Sequence, residues 1–419
     1  MMKTIKNTLC EFRRNFWEKV FEYYFLIYTI GTILILISGK GYVISILLPV
    51  SFFVLAWNHG KVNSKFCLID FFWLGFFFLS VGTWFANDYP FKMQLIGRYF
   101  MAQGAYMMTY WVGRNAKKNY LRIIITKSYF PVLVTSLIGL YTYLFRPAWY
   151  MKMMLAKFED VGHQSFQEFA RLRSIFPTQY VLSYFCTFIL MYYWFVLLRK
   201  KVVNKKDYVF ILILCATVLC CMMRGPIVCA LLALGIAVVY SKIFFLSRSI
   251  LKRMLPFCLA LLVGGGFVVG KMNVEDYSYI AEKVTSVTHH GSELVQKRAN
   301  LYVVKGSMLG NGAGRHAFYA DEYPPNYQLP DNEYQKTIAE VGYVGLVLLC
   351  AMFGLGLIKS VLNFKYLYYE MCVIVMCLIC MVGASCLSIV NEHSFIFWLA
   401  LGQISGFSVK KESLYELEC

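Results

Sequence analysis

Acidic side chains are scarce in this sequence. Its 419 residues hold 23 Asp and Glu against 41 Lys and Arg, a formal net charge of +18. Charged residues of both signs make up only 15%, where an ordinary soluble domain carries about 25%. That deficit argues against a soluble globular chain. Histidine is rarer still, at six, and no Cys, His, Asp or Glu set has the spacing of a metal site. Cysteine is plentiful, at fourteen, yet the two long hydrophilic loops lack it and neither holds a CxxC pair. Residues such as Cys215, Cys220, Cys221, Cys372, Cys377 and Cys380 sit inside apolar runs, as small buried hydrophobes do. A phosphate-cradling P-loop is excluded, because its Gly-Lys-Ser/Thr ending is missing. No internal repeat or low-complexity tract occurs, which weighs against a transporter built from inverted repeats. The stretch from Met1 to Lys19 is basic and has no apolar core of the signal-peptide kind.

What the chain has in excess is apolar surface: 59% hydrophobic residues, 18% aromatic, and a mean hydropathy of +0.56. A membrane span needs about 20 mainly apolar residues, because the hydrocarbon layer is about 30 Å thick. Runs of this kind fall at 20–38, 42–57, 66–86, 93–113, 123–145, 178–198, 207–223, 226–245, 254–270, 338–358, 366–386 and 394–409. The expected fold is therefore an all-α polytopic membrane protein with about twelve transmembrane helices and two extended outer loops. In chain order, five helices occupy 1–145, an outer loop 146–177, four helices 178–270, a large outer loop 271–337, and three helices with a tail 338–419.

Orientation follows from the basic residues. With the N-terminus in the cytoplasm, the inner segments collect 24 Lys and Arg while the short outer turns hold only Lys40, Lys92 and Arg224. The positive-inside rule then puts both termini inside. It also accounts for most of the net charge without any nucleic-acid partner. The interfacial stretch from Tyr150 to Phe176 mixes Met, Leu and Phe with charge, as a helix lying on the membrane does.

Four patches on the outer side carry residues suited to chemistry. The first is Arg171 and Arg173 ahead of Phe176-Pro177. The second is Arg224-Gly225-Pro226. The third runs from Lys297-Arg298 through Gly310, Gly312 and Gly314 to Arg315 and His316. The fourth is Asp331-Asn332-Glu333, followed by Glu340 and Gly342-x-x-Gly345. A guanidinium donates two hydrogen bonds to phosphate oxygens and keeps its charge at every relevant pH. The same arginines also suit lipid headgroups, salt bridges or a solvated loop face. The glycines permit positive φ and close backbone approach to a ligand, or simply a turn. Asp331 is placed to take a proton from a hydroxyl, or to cap the tenth span. Arg98 is the one ionisable group at depth with a functional reading; Lys127 is near enough to the inner face to snorkel.

The order of these patches resembles the O-antigen ligase and Wzy-type polymerase superfamily of bacterial surface-glycan assembly. The likeness is best from about 171 to 345. O-antigen ligases carry His-Asn/Ser/Gln, nine residues, then Gly-x-x-Gly; here Asn332 is followed by nine residues and Gly342-Tyr-Val-Gly345, with Asp331 in the histidine's place. Asp-Asn is similar to what many Wzy-type polymerases carry. The resemblance implies a GT-C-like glycosyltransferase of the bacterial inner membrane, inverting and metal-independent, with no cofactor. Its donor would be an undecaprenyl-diphosphate-linked glycan held among membrane lipid, and a chain-length regulator protein is a further partner. Catalysis would fall to Asp331, Arg224 and Arg298. Substrate binding would fall to Arg171, Arg173, Arg315, Arg98, Asn332, Glu333, Gly312 and Gly314. A polymerase, a ligase acting on lipid A-core, and a polysaccharide or lipid transporter all stay open on sequence grounds.

Overall fold

The computed structural model describes residues 16–38, 42–59, 66–85, 100–158, 171–176, 178–199, 204–245, 308–310, 312–313, 332–383, 386–387 and 393–408. Among the described residues all regular structure is helical. The helices are α1 (Phe16–Glu22), α2 (Tyr24–Ser38), α3 (Tyr42–His59), α4 (Leu68–Phe85), α5 (Ala105–Arg114), α6 (Tyr120–Phe145), α7 (Ala148–Phe158), α8 (Gln179–Arg199), α9 (Lys205–Cys220), α10 (Arg224–Phe245), α11 (Glu333–Leu362), α12 (Phe364–Gly383) and α13 (Ser394–Gly406). A π-helical turn, Phe100–Gly104, leads into α5.

Six of these helices are long and apolar enough to cross a membrane: α4, α6, α8, α10, α11 and α12. A seventh arises if α1 and α2 form one broken span. The chain is thus a multi-pass membrane protein by length and composition. The expected span at 42–57 coincides with the 18 residues of α3, whereas those at 207–223 and 394–409, and the described part of 93–113, coincide with shorter helices: α9 of 16 residues, α13 of 13 and α5 of 10. The 13 residues of α13 reach about 20 Å at 1.5 Å per residue, less than the hydrocarbon thickness. The expected span at 254–270 lies outside the described residues.

Two compact units divide the chain. Unit 1 draws on Met1–Tyr24, Ser45–Ile124 and Lys297–Glu416; unit 2 draws on Phe25–Ile44 and Ile125–Gln296, with Leu417–Cys419.

Unit 1 is built on the close approach of α5 and α13. A Cβ on Gly402 would lie 2.0 Å from the Tyr110 carbonyl oxygen, and one on Gly406 would lie 2.2 Å from that of Arg114. These two glycines, four apart on one face, let the helices meet backbone to backbone, as small residues do in membranes where no hydrophobic drive separates helix from lipid. The pair is locked by Asp70, in the first turn of α4. Its carboxylate accepts two hydrogen bonds from Arg114, at 2.9 Å from Nε and 3.1 Å from Nη2. It also accepts from the Cys67 backbone at 2.7 Å, from the Tyr110 hydroxyl, and from Ser405 at 3.0 Å. Lys359 on α11 donates to the Ser405 carbonyl at 2.8 Å. One buried carboxylate therefore ties α4, α5 and α13 together, with α11 attached through Ser405. An aromatic cluster of Phe21, Tyr24, Phe52 and Phe395 packs beside it, with Tyr24 and Phe395 centroids 4.2 Å apart. On α1, Glu18 and Glu22 accept from Lys118 at 2.8 and 2.7 Å. Burial alone would lower the Lys118 ammonium, but these two carboxylates outweigh it and hold it above its ordinary value.

Asp70 is 1% exposed and Arg114 5%, so removing either leaves an uncompensated charge in a dry site. Asp70→Ala is expected to cost about 3 kcal/mol, read as a lower unfolding midpoint in detergent. Arg114→Ala should cost about as much, and the double variant less than the two added. An unchanged midpoint would show that the pair does not hold these helices.

Unit 2 centres on α8, which is almost wholly buried, with α9 and α10 packed against it. Phe25 of α2 meets Phe185 of α8 at 4.4 Å between centroids, and Ser136 of α6 lies 3.4 Å from Cys186. The segment 171–176 runs across the ends of α6, α7 and α9, and it positions the candidate site.

Candidate functional site

In unit 2, α6 ends at Phe145 and the chain turns through Arg146 and Pro147 into α7. The residues 171–176 return over this turn. Leu172 donates from its backbone to the Cys220 carbonyl at 3.0 Å, and the Cys221 thiol donates to the Leu172 carbonyl at 3.3 Å. The Ser174 hydroxyl donates to the Thr135 carbonyl at 2.6 Å, and the Tyr150 hydroxyl to the Ser174 carbonyl at 2.6 Å. Gly139 leaves the room that Leu172 fills; a Cβ there would lie 2.7 Å from its Cδ2. Three helices thus fasten six residues that alternate arginine with apolar anchors.

The result is a recess lined by Gly139, Thr142, Tyr143, Arg146, Tyr150, Met151 and the Arg171-Leu172-Arg173 run. Three guanidinium-bearing residues converge there, and none of the described residues lining it is acidic. Its volume is about 20 Å³, room for about one water. The recess is closed down over its arginines. Arg173 is buried, whereas Arg146 and Arg171 are half-exposed. Burial raises the Tyr150 phenol above its ordinary value, while the Thr142 hydroxyl and the Arg173 charge pull in the opposite direction. Arg224 opens α10 three residues beyond Cys221 and is exposed. The expected first and second patches therefore share one end of unit 2.

Backbone strain gathers at the same place. Among the described residues, three non-glycine positions have positive φ: Arg146 at 43°, Ser174 at 60° and Met222 at 52°. Such conformations are costly for residues with a side chain and persist only where the surroundings over-determine them. All three border the 171–173 run: Arg146 lines the recess with it, Ser174 follows it, and Met222 follows Cys221.

In unit 1, the third and fourth patches also come together. Gly342 has φ 84° and ψ −179° and breaks α11 into two pieces. Into this break fit residues 308–310 and 312–313. Gly312 donates to the Glu340 carbonyl at 2.9 Å, and Val344 to the Met308 carbonyl at 3.3 Å. Ala313 accepts from the Trp84 indole at 2.6 Å and donates to the Thr83 hydroxyl at 3.2 Å. The loop strand repays the groups that the break removes from the helix ladder. Asn332 caps α11, its side chain accepting from Gln335 at 3.1 Å and donating to the Val382 carbonyl at 3.1 Å. The capping role expected of Asp331 belongs to its neighbour, whose side chain reaches the amide three residues on. Glu333 is buried and accepts from the Leu387 backbone at 2.8 Å, which is a structural use of the side chain. Lys336 and Glu340, both buried, stand 4.0 Å apart on the same turn.

Of the expected site residues, Arg171 and Arg173 line one recess of unit 2 with Arg224 at the same end, while Gly312, Asn332 and Glu333 belong to unit 1. Arg98, Arg298, Gly314, Arg315 and Asp331 lie outside the described residues. The four-patch pattern missed Arg146 as a site residue. A signal was present: an arginine directly after a span and directly before a proline is a helix end carrying a fixed cation. It also missed the Lys336–Glu340 pair, whose i,i+4 spacing reads equally well as a solvated helix face.

No family model matches this chain, and no curated protein matches it.

Proposed function

We propose that this chain is a membrane glycosyltransferase that polymerises polyprenyl-diphosphate-linked oligosaccharide repeat units. It would work at the outer leaflet of a bacterial inner membrane, as a GT-C-like bundle of about twelve spans with both termini cytoplasmic. The observation that carries this reading is the recess of Arg146, Arg171 and Arg173, with Arg224 on the adjoining turn. Planar guanidinium groups at a membrane surface suit a lipid-borne diphosphate, whose oxygens take paired hydrogen bonds. Buried Arg173 would be the fixed member of this set, with the half-exposed Arg146 and Arg171 at its edge.

In the proposed reaction an acceptor hydroxyl attacks the anomeric carbon of the donor sugar. The new C–O bond forms as the bond to the diphosphate oxygen breaks. The hydroxyl proton passes to a base, a role that the superfamily resemblance gives to Asp331. The leaving diphosphate takes the electron pair, and its growing charge is met by the arginines; donors aimed at developing charge are the largest single catalytic contribution in many enzymes.

The test is the purified chain mixed with a lipid-linked repeat unit. A ladder of extended products is the expected result. Transfer only to a lipid A-core acceptor would turn the assignment to a ligase. A second reading, transport, draws on the break at Gly342, because discontinuous helices bind substrate in many transporters. No transfer product, with passage of the lipid-linked unit across proteoliposomes, would replace the enzyme by a transporter.

A further inference from the structure

At the other end of α6 lies a second and wider site. A groove of about 300 Å³ is lined by Thr126, Lys127, Tyr129, Phe130 and Tyr193, all in unit 2. Lys127 stands nineteen residues before Arg146, a separation of about 28 Å along a helix. That matches the hydrocarbon thickness, so the groove and the arginine recess belong to opposite faces of the membrane.

Three helices hold the groove in shape. Tyr129 of α6 stacks on Phe210 of α9 with centroids 3.8 Å apart, and Tyr193 of α8 sits 5.6 Å from Tyr129 and 5.1 Å from Phe210. Phe130 is 69% exposed beside them. Thr126 and Lys127 are exposed at the same rim, and Lys205 and Lys206 open α9 nearby, also exposed. Asp207 is the acid at this end; its carboxylate accepts from the Asn204 backbone in a capping box. Positive charge therefore predominates among the described groups around the groove.

Depth decides what fits. Lys127 is seven residues from the start of α6 and Tyr193 six from the end of α8, so both lie about 10 Å inside the helix ends. From there a lysine reaches headgroup level and tyrosine hydroxyls sit at the interface. The lining pairs one cation and three hydroxyls with an exposed phenyl ring. A free anion would use the first set and find nothing in the second.

We propose that this groove is a binding site for an anionic phospholipid. Its phosphate is held by Lys127 and the hydroxyls of Thr126 and Tyr193, and one acyl chain lies along Phe130. This inference is independent of the catalytic reading.

The full-length protein in detergent would be titrated with phosphatidylglycerol, phosphatidylcholine or inorganic phosphate, and bound lipid counted by native mass spectrometry. Phosphatidylglycerol should be retained in preference to phosphatidylcholine. Lys127→Gln should weaken it about fivefold, the equivalent of one basic residue at an anionic headgroup. Lys242→Gln, which removes an exposed lysine in the last turn of α10, should leave it unchanged. Tyr193→Phe should weaken it as well, and decides the matter if Lys127→Gln fails to fold. Equal retention of the two lipids would overturn the site. So would equal loss in Lys127→Gln and Lys242→Gln, or displacement of the lipid by inorganic phosphate at the same concentration.

Discussion

Arg173→Ala is expected to lower glycan extension by about 100-fold or more, because a donor aimed at transition-state charge is typically worth that much. Arg173 is the buried member of the recess, held by the backbone bond of Leu172 to Cys220 on one side and by the Ser174 hydroxyl and carbonyl on the other. It cannot drift when the donor arrives, so its charge is preorganised rather than recruited. Arg173→Lys keeps the charge and loses the fork, and should retain part of the activity. Removing a buried arginine also threatens the fold, and Arg224→Ala separates the two effects. Arg224 is exposed at the start of α10, where a substitution usually changes stability by less than about 0.5 kcal/mol. Its loss should still reduce extension, with insertion and unfolding midpoint unchanged. Normal product ladders from both alanine variants would end the diphosphate-clamp assignment.

Gly342→Ala is expected to abolish the folded protein or cost about 4 kcal/mol or more, since it combines a forbidden backbone region with a backbone collision. A residue with a side chain does not settle at φ 84° and ψ −179°. A Cβ there would also lie 2.2 Å from the Met308 carbonyl oxygen, an atom that no rotamer change can move aside. Gly310 faces it from the loop, with φ 71° and a Cβ position 2.5 Å from the Glu340 carbonyl. The comparison is Gly354→Ala in the same helix, where nothing lies within 4 Å of the added carbon. That change should be neutral or gain up to about 1 kcal/mol from helix propensity. Expression and unfolding midpoints of the two variants give the measurement. Similar behaviour in both would mean that the break at Gly342 is not required.

The arginines show how far linear reading goes. Arg171 and Arg173 are legible as a pair because they share one local stretch, and Arg224 because it stands in an Arg-Gly-Pro turn between two apolar runs. Their meeting is not legible. It depends on Leu172 hydrogen-bonding to Cys220, a pairing between residues with no pattern in common. Arg146 belongs to the recess through the fold of the 171–176 segment over the end of α6; its own neighbourhood, a span end before Pro147, marks a helix end but not a partner. In the fourth patch, the Gly-x-x-Gly spacing was visible as a motif, but its placement at the opening of a span was not the structure's use for it. Gly342 interrupts a helix that begins nine residues earlier, at Glu333. The early start is invisible to hydropathy, because Glu333 and Lys336 read as loop-like charges, whereas both are buried.

Hydropathy along the chain is enough for the class of this protein: a multi-pass helical chain, with helices among the described residues at the sites of its apolar runs. That much follows from a local sum, since the transfer of about 20 apolar residues into lipid depends on those residues and not on their partners. Contacts between distant segments set which cations converge, where α11 breaks, and that Asn332 rather than Asp331 caps it. Those outcomes rest on single hydrogen bonds and on backbone approaches of a few ångströms between distant segments, and no sum along the chain contains them.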